Sequence, residues 1–378
     1  MTDLQGVLDA QVRAGTVPGA VAMVARGDAM EVAAAGELSR ESIVRIASIT
    51  KPVVAAAVLM LVEDGRIALD EPVAHWLPEI AAPSVVREPS APVDDVVPAA
   101  RPITVADLLT FRAGYGFPSD FSLPALQPLF TELKQGPPQP QAAPPPDEWM
   151  AALGRIPLLY QPGEAWLYNT CSDIQGVLIA RVAGRPLPEF LAERVFEPLG
   201  MVDTGFSTTP DNLGRIPSYY WSEFGPGGPK PQPLSQPAEW ATPPAFPSAA
   251  GGLVSTVDDW HSFARMLLAG GRAGGRQLLS PASVRQMTTD QLTQPQRDAS
   301  RLFLEGQGWG FDFGGSVDVE AIDPWNVPGR YGWVGGTGTA AHITPSTGTV
   351  SILLSQLEMA GPTAPALMRD FWRHAANA

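Results

Sequence analysis

The most constraining feature of this 378-residue sequence is a run from Val53 to Val62 that contains no polar side chain. The run follows Pro52 directly and ends at Glu63-Asp-Gly65. Proline is tolerated in the first turn of a helix, because its missing N–H would have no partner there. A helix that is apolar on every side has no face for solvent, so the sequence predicts a helix buried in the middle of the protein.

A serine and a lysine stand at the start of this helix. Ser48 and Lys51 are three residues apart, so their side chains lie on one face of a helical turn. A serine hydroxyl needs an adjacent base to act as a nucleophile, and a lysine shielded from water has a lowered pKa and can accept the proton. The chain has only three lysines, and one at the start of an apolar helix is hard to explain as a surface charge. We therefore predict Ser48 as nucleophile and Lys51 as its base; a helix cap followed by a surface lysine is the alternative.

Tyr168 is the candidate for a second proton carrier. It follows a Pro162-Gly turn and precedes a helical pattern that begins near Ser172. A phenol near a buried ammonium is expected to be stabilised as phenolate, and so to act as general base and later as general acid toward the leaving group. A tyrosine on a loop is otherwise a packing residue, so the assignment depends on its lying beside Ser48 and Lys51.

The segment from Tyr331 to Thr339 is rich in glycine. It contains four glycines in strand-like sequence, where they allow a ligand or another backbone to approach closely. If this edge lines the active-site cleft, the backbone N–H groups of Ser48 and Gly336 would hold the oxyanion of a tetrahedral intermediate. A glycine-rich hairpin bend is the alternative interpretation.

Hydrophobic periodicity indicates the remaining elements. It predicts helices over 2–14, 104–111, 172–183, 256–269 and 363–376, and strands over 20–25, 30–35, 340–344 and 349–356. Proline-dense stretches at 137–146 and 226–233 favour extended, weakly structured connections.

The two ends of the chain supply the predicted strands, and the middle is helical and irregular. This order predicts an α+β fold with a central antiparallel sheet flanked by helices. We expect residues 1–75 and 246–378 to form the sheet lobe and residues 76–245 to form a mainly helical, loop-rich, proline-rich insertion lobe. The active site is expected in the cleft between them.

Composition and missing motifs exclude several classes of function. A formal net charge of −14 disfavours a nucleic-acid partner. The histidines His75, His261, His342 and His374 are scattered and form no His-Glu-x-x-His, so neither a metal nor another cofactor is expected. The single cysteine, Cys171, excludes an intrachain disulfide and is interpreted as a small packed residue. No Gly-x-Ser-x-Gly elbow is present, which disfavours a conventional α/β-hydrolase.

No stretch approaches the roughly 20 uncharged apolar residues of a membrane span. The start of the chain, Met1-Thr-Asp-Leu, has neither the basic residues nor the apolar core of a signal peptide. We therefore expect a cytoplasmic protein that acts on a small molecule and not on a membrane. The oligomeric state is left open.

Taken in order, five motifs resemble the serine β-lactamase and penicillin-binding-protein superfamily, and in particular its class C-like esterases, called family VIII carboxylesterases. The motifs are Ser48-Ile-Thr-Lys51, Ile103-Thr-Val-Ala-Asp-Leu-Leu-Thr110, Tyr168-Asn-Thr170, Gly251-Gly-Leu-Val-Ser-Thr256 and Trp333-Val-Gly-Gly336. The resemblance implies a β-lactamase/transpeptidase-like fold and an acyl-enzyme on Ser48, with Lys51 and Tyr168 shuttling protons.

The sequence departs from the family pattern at two motifs. The usual Tyr-x-Asn has Thr170 in the place of the asparagine and Asn169 beside it, so either side chain is a candidate for substrate contact. The usual Lys-Thr-Gly is replaced by Trp333-Val-Gly335. In the relatives the lysine helps to bind the β-lactam carboxylate, whereas an uncharged tryptophan suits a neutral ester. We therefore expect Trp333 and Gly335 to line the substrate site.

The sequence favours a carboxylesterase that cleaves small or medium acyl esters. An amide-cleaving enzyme on the same scaffold, either a weak β-lactamase or a D-amino-acid peptidase or amidase, is the first alternative, and an acyltransferase is the second. A catalytically silent binding module is a third, from another class. The intact Ser48, Lys51 and Tyr168 argue against it.

Overall fold

A computed structural model describes residues 3–136, 142–223, 230–235 and 237–377. Its helices are α1 (Leu4–Arg13), α2 (Lys51–Glu63), α3 (Val105–Leu109), α4 (Gln127–Thr131), α5 (Pro146–Leu153), α6 (Thr170–Ala183), α7 (Leu187–Leu191), α8 (Glu197–Leu199), α9 (Val257–Leu268), α10 (Pro281–Met287), α11 (Gln294–Asp298) and α12 (Ala366–Asn377). Its strands are β1 (Gly19–Arg26), β2 (Ala29–Gly36), β3 (Val44–Arg45), β4 (Ser84–Val86), β5 (Val96–Pro98), β6 (Tyr219–Glu223), β7 (Lys230–Ser235), β8 (Val254–Ser255), β9 (Arg272–Ala273), β10 (Arg276–Gln277), β11 (Trp309–Asp312), β12 (Gly315–Asp318), β13 (Tyr331–Gly335), β14 (Thr339–Thr344) and β15 (Thr349–Ser355).

A seven-stranded sheet in the order β11-β12-β13-β14-β15-β1-β2 forms the centre of the fold. All of its neighbouring strands are antiparallel. β1 lies between β2 and β15, with Met23 opposite Val32 on one side and Ile352 on the other. The hairpin of β1 and β2 and the strands β14 and β15 confirm the predicted strands within one or two residues at each end.

Helix α2 is the buried helix that the apolar run predicts. Every residue from Lys51 to Leu61 is buried, and Pro52 lies in the first turn. The helix packs against α6, which is itself buried from Thr170 to Ile179. Cys171 lies buried in the first turn of α6, as expected for a small packed residue. Burying α2 on all sides removes from water the lysine at its start.

Strands β11 and β12 have no counterpart in the sequence prediction. All four residues of each strand are buried. A strand that is buried on both faces shows no alternation of apolar and polar residues. Gly310 and Gly315 also weaken the pattern, because glycine is unfavourable in strands. These physical causes explain why the sheet has two more strands than periodicity and the glycine-rich segment together indicate.

The proline-dense stretches are described only in part. Residues 137–141 and 224–229 lie outside the described residues. The remainder of the second stretch belongs to β7, which pairs with β6. The first stretch ends at Pro146, the first residue of α5, a position at which proline is compatible with a helix.

A short pairing of β3 with β8 positions the segment that precedes Ser48. Val44 lies opposite Ser255 and Arg45 opposite Val254, so residues 45–48 run beside residues 250–254. A separate antiparallel bridge joins Phe117 to Tyr168. These contacts bring together loops that are distant in sequence.

Within the described ranges, no helix is both long enough and apolar enough to cross a membrane.

Candidate active site

Ser48 lies in a 3₁₀ turn, Ala47–Thr50, that leads directly into α2. Ala47 has a φ of +47°, which is unfavourable for a residue with a Cβ and is found where surrounding structure enforces it. One enforcing contact is the hydroxyl of Thr339, which donates to the Ile46 carbonyl at 2.9 Å. The turn thus holds the serine at a fixed place between the buried helix and the sheet.

The Lys51 amine is fully buried and has three polar neighbours. Its Nζ lies 3.0 Å from Ser48 Oγ, 3.0 Å from Asn169 Oδ1 and 2.6 Å from the Ala250 carbonyl oxygen. The amide oxygen and the carbonyl can only accept hydrogen bonds. A neutral amine has two protons and one lone pair, so the two acceptors engage both protons and leave the lone pair for the Ser48 hydroxyl. This geometry suits Lys51 as the base for Ser48.

Burial makes that neutral amine available. Desolvation lowers the pKa of Lys51 to about 7, and the nearby charge of Asp173 acts in the opposite direction. At neutral pH a large fraction of Lys51 is therefore unprotonated. The sequence expectation that the apolar surroundings of Lys51 depress its pKa agrees with this direction.

Asp173 is a site residue that the sequence analysis missed. It lies buried in the first turn of α6, where its Oδ1 accepts from the Ser248 hydroxyl at 2.8 Å and from the Ala250 N–H at 3.0 Å. Burial raises the pKa of its carboxyl, while these hydrogen bonds and Lys51 oppose the rise. Because Asp173 holds Ala250, it positions the carbonyl that binds Lys51. Acidic residues are common in the first turn of any helix, so its place in the sequence carries no distinctive signal.

Thr170 and Asn169 have different surroundings. The Thr170 hydroxyl is fully buried and donates to Gln135 Oε1 at 2.6 Å, and Gln135 Nε2 in turn contacts Asp173 at 3.3 Å. Asn169 lines the cavity described below and binds Lys51. Asn169 has a φ of +83°, which asparagine tolerates better than most residues. The geometry therefore places Asn169 at the site and Thr170 behind it.

Tyr168 meets Ser48 and Lys51 in the structure. Lys51 Nζ lies 4.7 Å from the centre of its ring, and Trp333 Nε1 donates to its hydroxyl oxygen at 2.7 Å. Burial raises the pKa of Tyr168 to about 12, against the lowering effect of hydrogen bonds with Ser48 and Trp333. The expected phenolate is therefore wrong for the resting enzyme, because burial outweighs those bonds and Lys51 is itself partly neutral. A protonated Tyr168 is a proton donor.

The glycines after Trp333 have separate roles. Gly335 is the last paired residue of β13, and a Cβ there would lie 2.6 Å from the Ile46 carbonyl oxygen. Only glycine lets the strand approach the Ser48 segment so closely. Gly336 lies one residue beyond the pairing and lines the cavity together with Ser48. The segment is thus a strand that ends in a hairpin turn at the cavity wall.

A cavity of about 460 Å³ contains Ser48 in its wall. Aromatic rings form much of that wall, from Phe117, Phe121, Phe130, Trp149, Tyr168, Tyr219, Phe246, Phe303, Trp309 and Trp333. The charged side chains among its lining residues are Lys134, Asp173 and Glu358. Ser48 therefore faces a largely apolar space of a size that suits a small organic molecule.

The pH dependence of activity tests the state of Lys51. Because only the neutral amine accepts the serine proton, kcat/KM is expected to fall as pH decreases through about 7. An Asn169→Asp variant puts a carboxylate at the position of the amide oxygen, which favours the ammonium and raises the Lys51 pKa. We expect the acidic limb to move up by roughly one pH unit or more. Asn212→Asp, outside the cavity lining, serves as the control, and an acidic limb at the same pH in both variants would contradict the assignment.

A second prediction concerns the indole N–H of Trp333. Trp333→Phe keeps a ring but removes the donor to Tyr168, so the phenolate that forms during turnover loses a hydrogen bond. We expect kcat on an alkyl ester, whose leaving alkoxide takes the Tyr168 proton, to fall roughly tenfold or more, as for a bond to a charged group. The matched control is Trp309→Phe, because Trp309 also lines the cavity and its buried Nε1 has no partner in the described structure. Equal losses in the two variants would show that the bond to Tyr168 is immaterial.

Comparison with known proteins places the chain in a family. The Beta-lactamase family model matches residues 4–370. Protein Rv1367c of Mycobacterium tuberculosis (strain ATCC 25618 / H37Rv) is 36% identical over 367 residues, which are 91% of this chain and 86% of that protein. Esterase EstB of Burkholderia gladioli is 28% identical over 392 residues, covering 96% and 92% of the two chains. The solved structure of EstCE1, described as a hydrolase with promiscuous acyltransferase activity, has a TM-score of 0.78 at 24% identity and covers 98% of this chain and 97% of its own.

These matches extend over nearly the whole chain, so they concern the complete fold and not one motif. They confirm both the expected superfamily and the β-lactamase/transpeptidase-like fold with its central antiparallel sheet. The chain therefore belongs to the β-lactamase family, and it is a serine hydrolase of that fold.

Proposed function

We propose that the protein is a carboxylesterase that cleaves small or medium acyl esters through an acyl-Ser48 intermediate. The observation that carries the proposal is the buried Lys51 amine, whose lone pair is directed to Ser48 in the wall of a largely aromatic cavity. Trp333 supports a neutral substrate, because it offers no positive charge where the lysine of β-lactamases would bind a carboxylate. A relative of 28% identity, EstB, is itself named an esterase.

In the proposed acylation, Ser48 Oγ attacks the ester carbonyl while its proton passes to Lys51. The N–H groups of Ser48 and Gly336 hold the resulting oxyanion. The intermediate collapses as the Tyr168 hydroxyl gives its proton to the leaving alkoxide. The acyl-enzyme then contains a Lys51 ammonium, 4.7 Å from the centre of the Tyr168 ring, and a Tyr168 phenolate. The two opposite charges stabilise each other, and the phenolate oxygen accepts the Trp333 N–H.

Deacylation reverses these transfers. Water attacks the acyl carbon and gives a proton to the Tyr168 phenolate. The new intermediate expels the Ser48 alkoxide, which takes its proton back from Lys51. The carboxylic acid leaves, and all three side chains return to their starting states. An alcohol in place of water would give acyl transfer by the same steps.

The proposed lobes are 1–75 with 246–378 and 76–245, with the site in the cleft between them. Support comes from the cavity wall, which contains Ser48 and Trp333 from the first and Trp149 and Tyr168 from the second. The proposed location of the protein is the cytoplasm.

A substrate panel tests the function. It contains p-nitrophenyl esters of increasing acyl length, nitrocefin and D-amino-acid p-nitroanilides, each measured as kcat/KM with and without an added alcohol acceptor. The proposal expects the esters to exceed nitrocefin and the anilides by orders of magnitude. A preference for nitrocefin or an anilide would overturn it in favour of amide cleavage, and a larger yield of transesterified product than of acid would favour an acyltransferase.

A further inference from the structure

Glu358 is a carboxylate in the wall of the substrate cavity. It follows β15, and its backbone N–H donates to the Tyr220 carbonyl at 2.8 Å. The next residue, Met359, donates its N–H to the Gly336 carbonyl, also at 2.8 Å. These bonds fix Glu358 beside the turn that carries the proposed oxyanion donor.

The Glu358 carboxylate is half-buried, and within the described ranges of the chain its oxygens have neither a hydrogen bond nor an ion pair. Burial raises its pKa. The cation on this side of the cavity is already engaged, because the Arg45 guanidinium lies over the Tyr219 ring at 4.2 Å and binds Gln356 at 3.3 Å. A partly desolvated carboxylate without a partner raises the free energy of the protein, and a cationic group on a ligand would offset that desolvation penalty.

The position of Glu358 relative to Tyr168 indicates which half of the substrate it meets. Trp333, at the centre of β13, binds the Tyr168 hydroxyl, which in the proposed mechanism protonates the leaving group. Gly336 lies three residues further along, where the strand has ended, and Glu358 lies beside it. If Tyr168 protonates the leaving group as proposed, the leaving group lies at the Trp333 end and the space beside Gly336 and Glu358 is left for the acyl group.

We propose that Glu358 is a counter-ion for a cationic amino group on the acyl half of the substrate, so that amino-acyl esters are preferred to neutral and carboxylate-bearing isosteres. This proposal rests on the proposed ester hydrolysis. The aromatic rings around the site, Tyr219 among them, pack on the methylenes of the acyl chain. Lys134 also lines the cavity but is exposed, and it does not form an ion pair with Glu358 in the described structure.

Three p-nitrophenyl esters with acyl chains of matched length separate charge from shape. They carry a terminal trimethylammonium group (4-trimethylammoniobutanoyl), its neutral tert-butyl isostere (5,5-dimethylhexanoyl) and a carboxylate (glutaryl). Rates are corrected for spontaneous hydrolysis and reported as ratios of kcat/KM. For the wild-type enzyme we expect kcat/KM to be highest for the cationic ester, lower for the neutral ester and lowest for the anionic ester. The cation-to-neutral ratio is expected to decrease as salt is added, because ions screen exposed charges.

Glu358→Gln is expected to lower the cation-to-neutral ratio about fivefold, which is the effect expected when one partly exposed charge pair is lost. Glu358→Lys is expected to reverse the preference toward the glutaryl ester. The matched control Glu320→Gln removes the same charge from an exposed residue outside the cavity lining, and it is expected to keep the wild-type ratio.

The outcomes separate this inference from the proposed function. A wild-type enzyme that hydrolyses the neutral ester without preferring the cation, or a Glu358→Gln variant that keeps the wild-type ratio, would overturn the role of Glu358 alone. A wild-type enzyme that hydrolyses none of the three esters would overturn ester hydrolysis itself.

Discussion

A Ser48→Ala variant is expected not to be acylated, and its kcat on p-nitrophenyl esters is expected to be about 10⁴-fold or more below that of the wild type. In the proposed mechanism the hydroxyl oxygen forms the bond to the acyl group, so no neighbour can compensate for its loss. Lys51 would remain in place with its lone pair facing the space that the hydroxyl occupied. Two measurements check this result: ester turnover, and labelling by a fluorophosphonate probe that reacts with activated serines.

The matched control is Ser248→Ala. Ser248 also lines the cavity, but its hydroxyl donates to Asp173, whereas the Lys51 amine contacts Ser48. We expect this variant to be labelled by the probe. Retained labelling and turnover in Ser48→Ala, or their loss in Ser248→Ala alone, would refute the choice of nucleophile.

Removal of the base has the next largest expected effect. Lys51→Ala is expected to lose on the order of 10³-fold or more in kcat, which corresponds to about 4 kcal/mol of transition-state stabilisation. The variant removes the amine that lies 3.0 Å from Ser48 Oγ, and the neighbouring Tyr168 is a protonated phenol that cannot replace it as a base. The rate of p-nitrophenol release in a single turnover measures acylation directly.

Lys51→Arg separates the base from the positive charge. Arginine keeps a cation near the oxyanion and near Tyr168, but it stays protonated and accepts no proton. We therefore expect it to be nearly as slow as Lys51→Ala, whereas Tyr168→Phe, which keeps the base, is expected to lose roughly 10²-fold or more. Activity of Lys51→Arg close to wild type would show that the amine acts as a charge and not as a base.

The parts of the fold that could be predicted are those with a strong local pattern. The apolar run predicts α2 because ten consecutive apolar residues are more than a typical buried strand contains, and Pro52 then marks the first turn. The hairpin of β1 and β2 is likewise local, since a tight turn joins its strands. Strands β11 and β12 could not be predicted in the same way, because they are buried on both faces.

The site shows a similar division. Ser48 and Lys51 are recognisable because they share one helical turn. Tyr168 lies on a loop with no such local pattern, and the family resemblance supports its assignment. Asp173 and the Ala250 carbonyl have no local signal: their roles arise from hydrogen bonds between segments 77 residues apart.

Trp333 has a role as a hydrogen-bond donor that is visible only in the structure. From the sequence it is an uncharged replacement for a lysine, and hence a wall for a neutral ester. The structure adds an N–H donor to Tyr168 at 2.7 Å. That bond depends on the spacing of a strand and a loop 165 residues apart, which no pattern in the sequence encodes.

The most direct test of the account is the mass of the enzyme during turnover. The wild-type protein is mixed with p-nitrophenyl butyrate, quenched in acid before the substrate is exhausted, and analysed by intact mass and peptide mapping. We predict an enzyme carrying one butyryl group, located on Ser48. An enzyme that turns the ester over rapidly and carries the acyl group on another residue, such as Ser248, would contradict the central claim.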